Sequence, residues 1–171
     1  MVLGGGQLRA VVFTMGSQDY TVDNVILRLG FYSTITDVAQ VGFFLDNGSG
    51  NIGTQVGSFL SAPPSTNNNV NNFTFTPDGP LTLAASTKYW LLVDGAAAAF
   101  DWFGNSPTIS PTGSGASFNP LYRHSSDNGV TYATTNLKPS FEINGTAIPE
   151  PSRALLAALG LFGLILRRRR A

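Results

Sequence analysis

The sequence predicts an all-β domain, a jelly-roll-like β-sandwich of about nine or ten short strands, followed by one short C-terminal transmembrane helix. Three observations predict it. Apolar residues recur at every second position through most of the chain, the period of a half-buried strand. Gly, Asn, Thr, Ser and Pro cluster between these runs, as turns require. Charged residues make up only 12% of the 171 residues, the closing run of arginines included, against about a quarter in ordinary soluble domains.

The strands follow in order. Arg9 to Thr14 is the first candidate. Val25, Leu27, Leu29 and Phe31 alternate with Ile26, Arg28, Gly30 and Tyr32, and Val41, Phe43 and Leu45 repeat the pattern before the turn Asp46 to Asn51. Shorter runs occupy Gln55 to Leu60, Asn72 to Thr76 and Leu81 to Leu83. Leu83, Ala85, Thr87, Tyr89, Leu91 and Val93 form the longest alternation, read as one strand with Trp90 on its outward face. Ala98 to Phe103, Ala116 to Phe118, Leu121 to His124, Val130 to Ala133 and Ser140 to Asn144 complete the set. The domain is expected over residues 1–143, with a small-residue linker over 144–148 and a tail over 149–171.

The charges are segregated. Up to Ile148 there are eight Asp and Glu142 against Arg9, Arg28, Lys88, Arg123 and Lys138. The body is therefore mildly acidic, with no basic stripe for nucleic acid. There is no cysteine, which excludes disulfides, thiolate metal sites and a cysteine nucleophile.

The tail has three parts. Pro149-Glu150-Pro151 holds the chain extended, because neither proline donates a backbone hydrogen bond and each restricts the residue before it. Ser152 to Leu166 reads as the membrane helix; its apolar run, Ala154 to Leu166, spans about 20 Å as helix against a hydrocarbon core of about 30 Å. That is a marginal span unless flanking arginines snorkel, and it suits a transient stop. Arg167, Arg168, Arg169 and Arg170 keep that end cytoplasmic and leave the body outside. A surface-lying helix, or a core helix with a basic end, is the alternative reading of the same residues.

This order of motif, helix and basic cluster resembles the PEP-CTERM sorting signal of Gram-negative bacteria. The resemblance implies recognition by exosortase, an integral-membrane transpeptidase-like enzyme, cleavage near Pro149 to Pro151, transient residence in the inner membrane, and delivery to the cell surface or biofilm matrix. The body resembles choice-of-anchor domains, the R variant most, through Phe13-Thr14-Met15-Gly16-Ser17, Val25-Ile26-Leu27-Arg28-Leu29, Asp46-Asn47-Gly48, Thr87-Lys88-Tyr89-Trp90-Leu91 and Ser126-Asp127-Asn128-Gly129. That second resemblance implies a fold and a location but no activity. An exported protein needs a signal peptide, and Met1 to Gln7 has neither a basic nor an apolar region, so the N-terminus is expected to be truncated.

Catalytic chemistry finds little to work with. His124 is the sole histidine and lies in no nucleophile elbow, and Glu142 is the sole glutamate of the body, which leaves no carboxylate pair for glycoside hydrolysis. The expectation is therefore a non-enzymatic protein with no catalytic residue and no resident metal. Asp46 to Asn51 is oxygen-rich enough to suggest calcium, with Asp94 and Asp101 as further ligands, although it lacks the EF-hand pattern. Ser125-x-Asp127-x-Gly129-x-x-Tyr132 resembles the Asp-box hairpin of sialidases and reads as a turn rather than a site. Trp90 and Trp102 are candidates for a sugar-stacking platform, which would make the body a lectin-like module gripping exopolysaccharide.

Overall fold

The computed structural model describes residues 2–34, 37–96, 99–104, 112–135 and 138–149, with backbone alone at 119–121. They form twelve strands: β1 (Val2–Leu3), β2 (Leu8–Met15), β3 (Tyr20–Gly30), β4 (Gln40–Asp46), β5 (Ile52–Ser58), β6 (Asn71–Phe75), β7 (Thr82–Leu83), β8 (Lys88–Asp94), β9 (Phe100–Trp102), β10 (Ala116–Ser125), β11 (Ala133–Thr135) and β12 (Phe141–Ala147). All pair antiparallel, in two six-stranded sheets. The described residues contain no helix, and so none long and apolar enough to cross a membrane. The expected membrane helix over 152–166 lies outside them.

One sheet runs β11-β10-β2-β8-β4-β5. The other is built on β3, whose length lets it take two partners on each edge: β6 and β7 on one, β12 and β9 on the other, with β1 beyond β9. The inward residues of both sheets meet in one core, including Val11, Phe13, Val25, Leu27, Leu29, Phe43, Phe75, Leu91 and Trp102. Phe13 stacks edge-on to Phe43 at 5.6 Å, and Phe43 to Phe59 at 5.2 Å, the T-shaped geometry that aromatic quadrupoles favour.

Two sequence expectations are corrected here. The long alternation from Leu83 to Val93 is two strands in different sheets. The chain leaves β7 and crosses to β8 through a corner where Ser86 takes a φ of 54° and its N–H donates to the Gly16 carbonyl at 2.7 Å. Alternation survives because the corner turns the chain without changing which residues face the core. The expected linker over 144–148 is largely strand: Asn144 to Ala147 pair with Asn24 to Tyr20 on β3. Glycine is what lets the ladder continue, since a Cβ at Gly145 would sit 2.6 Å from the Thr21 carbonyl oxygen.

Candidate functional site

The end of β12 carries the chain to Pro149-Glu150-Pro151. Asn144 Nδ2 donates to Asn24 Oδ1 at 3.0 Å, and the register then shifts between Asn144 and Gly145. Beyond the shift Gly145 and Thr146 are exposed, and Thr146 Oγ1 donates to Asp23 Oδ2 at 3.2 Å. Among the described residues the Ile148 N–H makes the last backbone bond, to the Asp19 carbonyl at 2.8 Å. Pro149 follows, exposed and unable to extend the ladder. Glu150, Pro151 and Arg167, Arg168, Arg169 and Arg170 lie outside the described residues.

The two indoles do not form a platform. Trp90 does alternate away from the core shared by the two sheets, but the outer face of its sheet is itself covered, and the side chain is 0% exposed. It sits in a second apolar cluster with Leu8, Ala10, Val12 and Leu92, against which Phe44, Ile52 and Tyr132 pack. Its Nε1 donates to Asp46 Oδ2 at 3.0 Å. Arg123 ties the cover down, donating from one nitrogen to the Gly50 carbonyl at 3.2 Å and from the other to Thr134 Oγ1 at 2.8 Å. Trp102, also 0% exposed, belongs to the main core and donates its Nε1 to the Ser140 carbonyl at 2.8 Å.

The oxygen-rich turn spends its side chains on its own backbone. Asp46 Oδ1 accepts from Gly48 N at 2.9 Å and Gly50 N at 3.4 Å, while Asn47 Oδ1 accepts from Ser49 N at 2.9 Å and Asn51 N at 3.2 Å. These are side-chain caps of a hairpin. The idea that Asp94 and Asp101 join Asp46 fails on register. Gln40 pairs with Asp94 and Leu45 with Tyr89, so Asp46 and Asp94 lie at opposite ends of β8, about 20 Å apart along the strand. Asp101 is on β9 in the other sheet. Among the described residues no three metal-ligating side chains converge.

His124 shares the inward face with Tyr122, directly across from Arg9, and its Nδ1 is buried without a hydrogen-bond partner among the described residues. Burial lowers the Arg9 pKa, and the guanidinium donates to the Leu8 carbonyl at 3.0 Å and to Gln7 Oε1 at 3.3 Å. Ser125 is the next residue along the strand, so it faces the opposite way. Its hydroxyl donates to Asp127 Oδ1 at 2.7 Å and accepts from Gly129 N at 2.8 Å. Asp127 in turn accepts the Thr131 N–H at 2.9 Å and the Thr131 hydroxyl at 2.5 Å. These bonds to Thr131 and Ser125 lower its pKa to about 2. With Asn128 and Gly129 at φ 59° and 83°, the segment is a tightly wired turn between β10 and β11.

Sequence reasoning missed a cleft. Where β10 and β12 border the space between the sheets, a cavity of about 520 Å³ opens over Phe13, Met15, Val22, Phe118, Phe141 and Ile143, with Lys138, Glu142 and Asn144 also in its lining. Strand periodicity assigns these residues inward but does not reveal whether two sheet edges close. No known protein-family model matches the chain, and comparison with curated proteins finds no relative.

Proposed function

We propose that the chain is an exported, non-enzymatic bacterial surface or matrix protein: a jelly-roll-like body delivered by a PEP-CTERM tail that exosortase processes. The carrying observation is the order of the tail, Pro149-Glu150-Pro151, then the apolar stretch to Leu166 as a short membrane helix, then Arg167 to Arg170. The end of the body is consistent with it. Among the described residues the last backbone bond, from Ile148, falls one residue before the motif. The tail makes the membrane hold transient and sets the body outside the cytoplasm, from where processing passes it to the surface or matrix. Burial of Trp90 and Trp102 removes the feature that favoured a lectin-like module.

The test is to express the chain behind an export signal in a host that carries exosortase and to determine the mature C-terminus by mass spectrometry. A product ending near Pro149 to Pro151 is expected. A mature chain that still carries Arg167 to Arg170 would sink the proposal.

A further inference from the structure

We infer that the end of β12, Gly145 to Ile148, is part of the site the processing enzyme reads, and that it must leave β3 before the chain is cut. The inference rests on the sorting proposal and concerns how the motif becomes reachable. An enzyme that cuts a polypeptide commonly takes it as an extended strand, with residues on both sides of the broken bond seated in its cleft. Here the residues ahead of the motif are already committed to a sheet. From Ile148, held by Asp19, to Pro151 is at most about 10 Å of extended chain. A body of this size has a radius of gyration of about 15 Å. The body therefore crowds the motif from one side while the membrane holds the chain on the other.

The strand end is built to come away. Among the described residues β12 pairs with β3 alone, so its other edge is open. No residue from Asn144 to Ile148 is buried, and Ile148 is 37% exposed. The register shift after Asn144 separates this end from Phe141 and Ile143, which pack on the main core. Opening as far as the shift breaks few hydrogen bonds and returns no fully buried side chain to water, placing it at the low end of local unfolding free energies. The segment released, Gly-Thr-Ala-Ile, carries no charge and no bulky ring, which suits it to lying extended in a cleft.

Thr21 and Thr146 are directly opposed and both exposed. Opposed residues of antiparallel strands lie about 4.5–5.5 Å apart, within disulfide reach. The chain has no other cysteine to compete. In the full chain with an export signal and an exosortase-bearing host, Thr21→Cys with Thr146→Cys is expected to lower processing at least about tenfold when oxidised, the fold-change that about 1.4 kcal/mol of added opening cost gives. A thiol reductant in the medium should restore it. A flexible Gly-Ser linker of about six residues inserted between Ile148 and Pro149 should speed processing without any cysteine, and should rescue the oxidised pair. Oxidised chain cut as fast as reduced chain, or a linker without effect, overturns the inference while leaving the sorting proposal intact. Failure of the unmodified chain to be cut at all overturns both.

Discussion

Replacing Trp90 with alanine separates a structural indole from a ligand-binding one. The side chain is fully buried in the outer cluster, enclosed by Ala10, Val12, Leu92, Phe44 and Ile52, with its single N–H satisfied by Asp46. Truncating an aromatic in such a site costs about 3–5 kcal/mol, the lost transfer energy plus the cavity left behind. For a domain of this size each kcal/mol moves the melting temperature by about 2–4 °C, so Trp90→Ala should melt roughly 10 °C below the parent. Asp46 is only half-buried and can turn to water, so the missing N–H adds little. Trp90→Phe keeps most of the packing and should lose only about 1 kcal/mol. Thermal unfolding followed by far-UV circular dichroism measures both, in parallel with retention on immobilised polysaccharide. A Trp90→Ala chain that melts with the parent but loses polysaccharide binding would refute the burial argument and revive the sugar platform.

Two further predictions test the loops. Tyr32 is buried edge-on to Phe73 and Phe100 and donates to the Ala62 carbonyl at 2.8 Å, so Tyr32→Phe, which orphans a buried acceptor, should cost about 1–3 kcal/mol in urea unfolding; a change within error would show that the carbonyl finds water. Asp127 titrates at about 2 rather than its usual 3.8 because Thr131 and Ser125 hold its charged form. A depressed carboxyl stabilises above its ordinary value, so this contribution is intact at neutral pH and is lost as pH falls from 3.8 towards about 2. The Thr131 amide resonance should follow that titration, and a midpoint near 3.8 would break the assignment.

What the sequence disclosed and what it hid follow from how each strand is covered. Val25, Leu27 and Leu29 alternate cleanly because the outer face of β3 is left mostly to solvent, and period two is then unambiguous. The same rule correctly turns Trp90 away from the main core but does not expose it, because β8 is covered on both faces. The signal was present: Ala10 to Phe13 and Tyr89 to Val93 are unbroken apolar runs, the pattern of doubly buried strands. Alternation could not locate the corner at Ser86, since both strands keep the same phase across it. The tail of β12 looked like a linker because Gly, Thr and Ala carry no hydrophobic pattern, yet the partner strand alone supplies its pairing. β1 was missed because two residues cannot show a period, although its Leu3 is fully buried.

The same distribution of burial decides which part of the fold meets a load at the C-terminus. β2 and β8 lie side by side inside their sheet, paired over seven residues, and contribute to both apolar clusters. Separating them means global unfolding, because no partial opening spares either cluster. β12 ends its row in the other sheet and commits only Phe141 and Ile143 to the core. A pull transmitted through Pro149 therefore reaches first a strand with no buried residue, and meets a register shift after four paired and bonded residues, Ile148 back to Gly145. Stability and accessibility are thus assigned to different strands: the exit can open while the clusters around Trp90 and Phe13 stay closed, and strengthening the core would not by itself hold the exit shut.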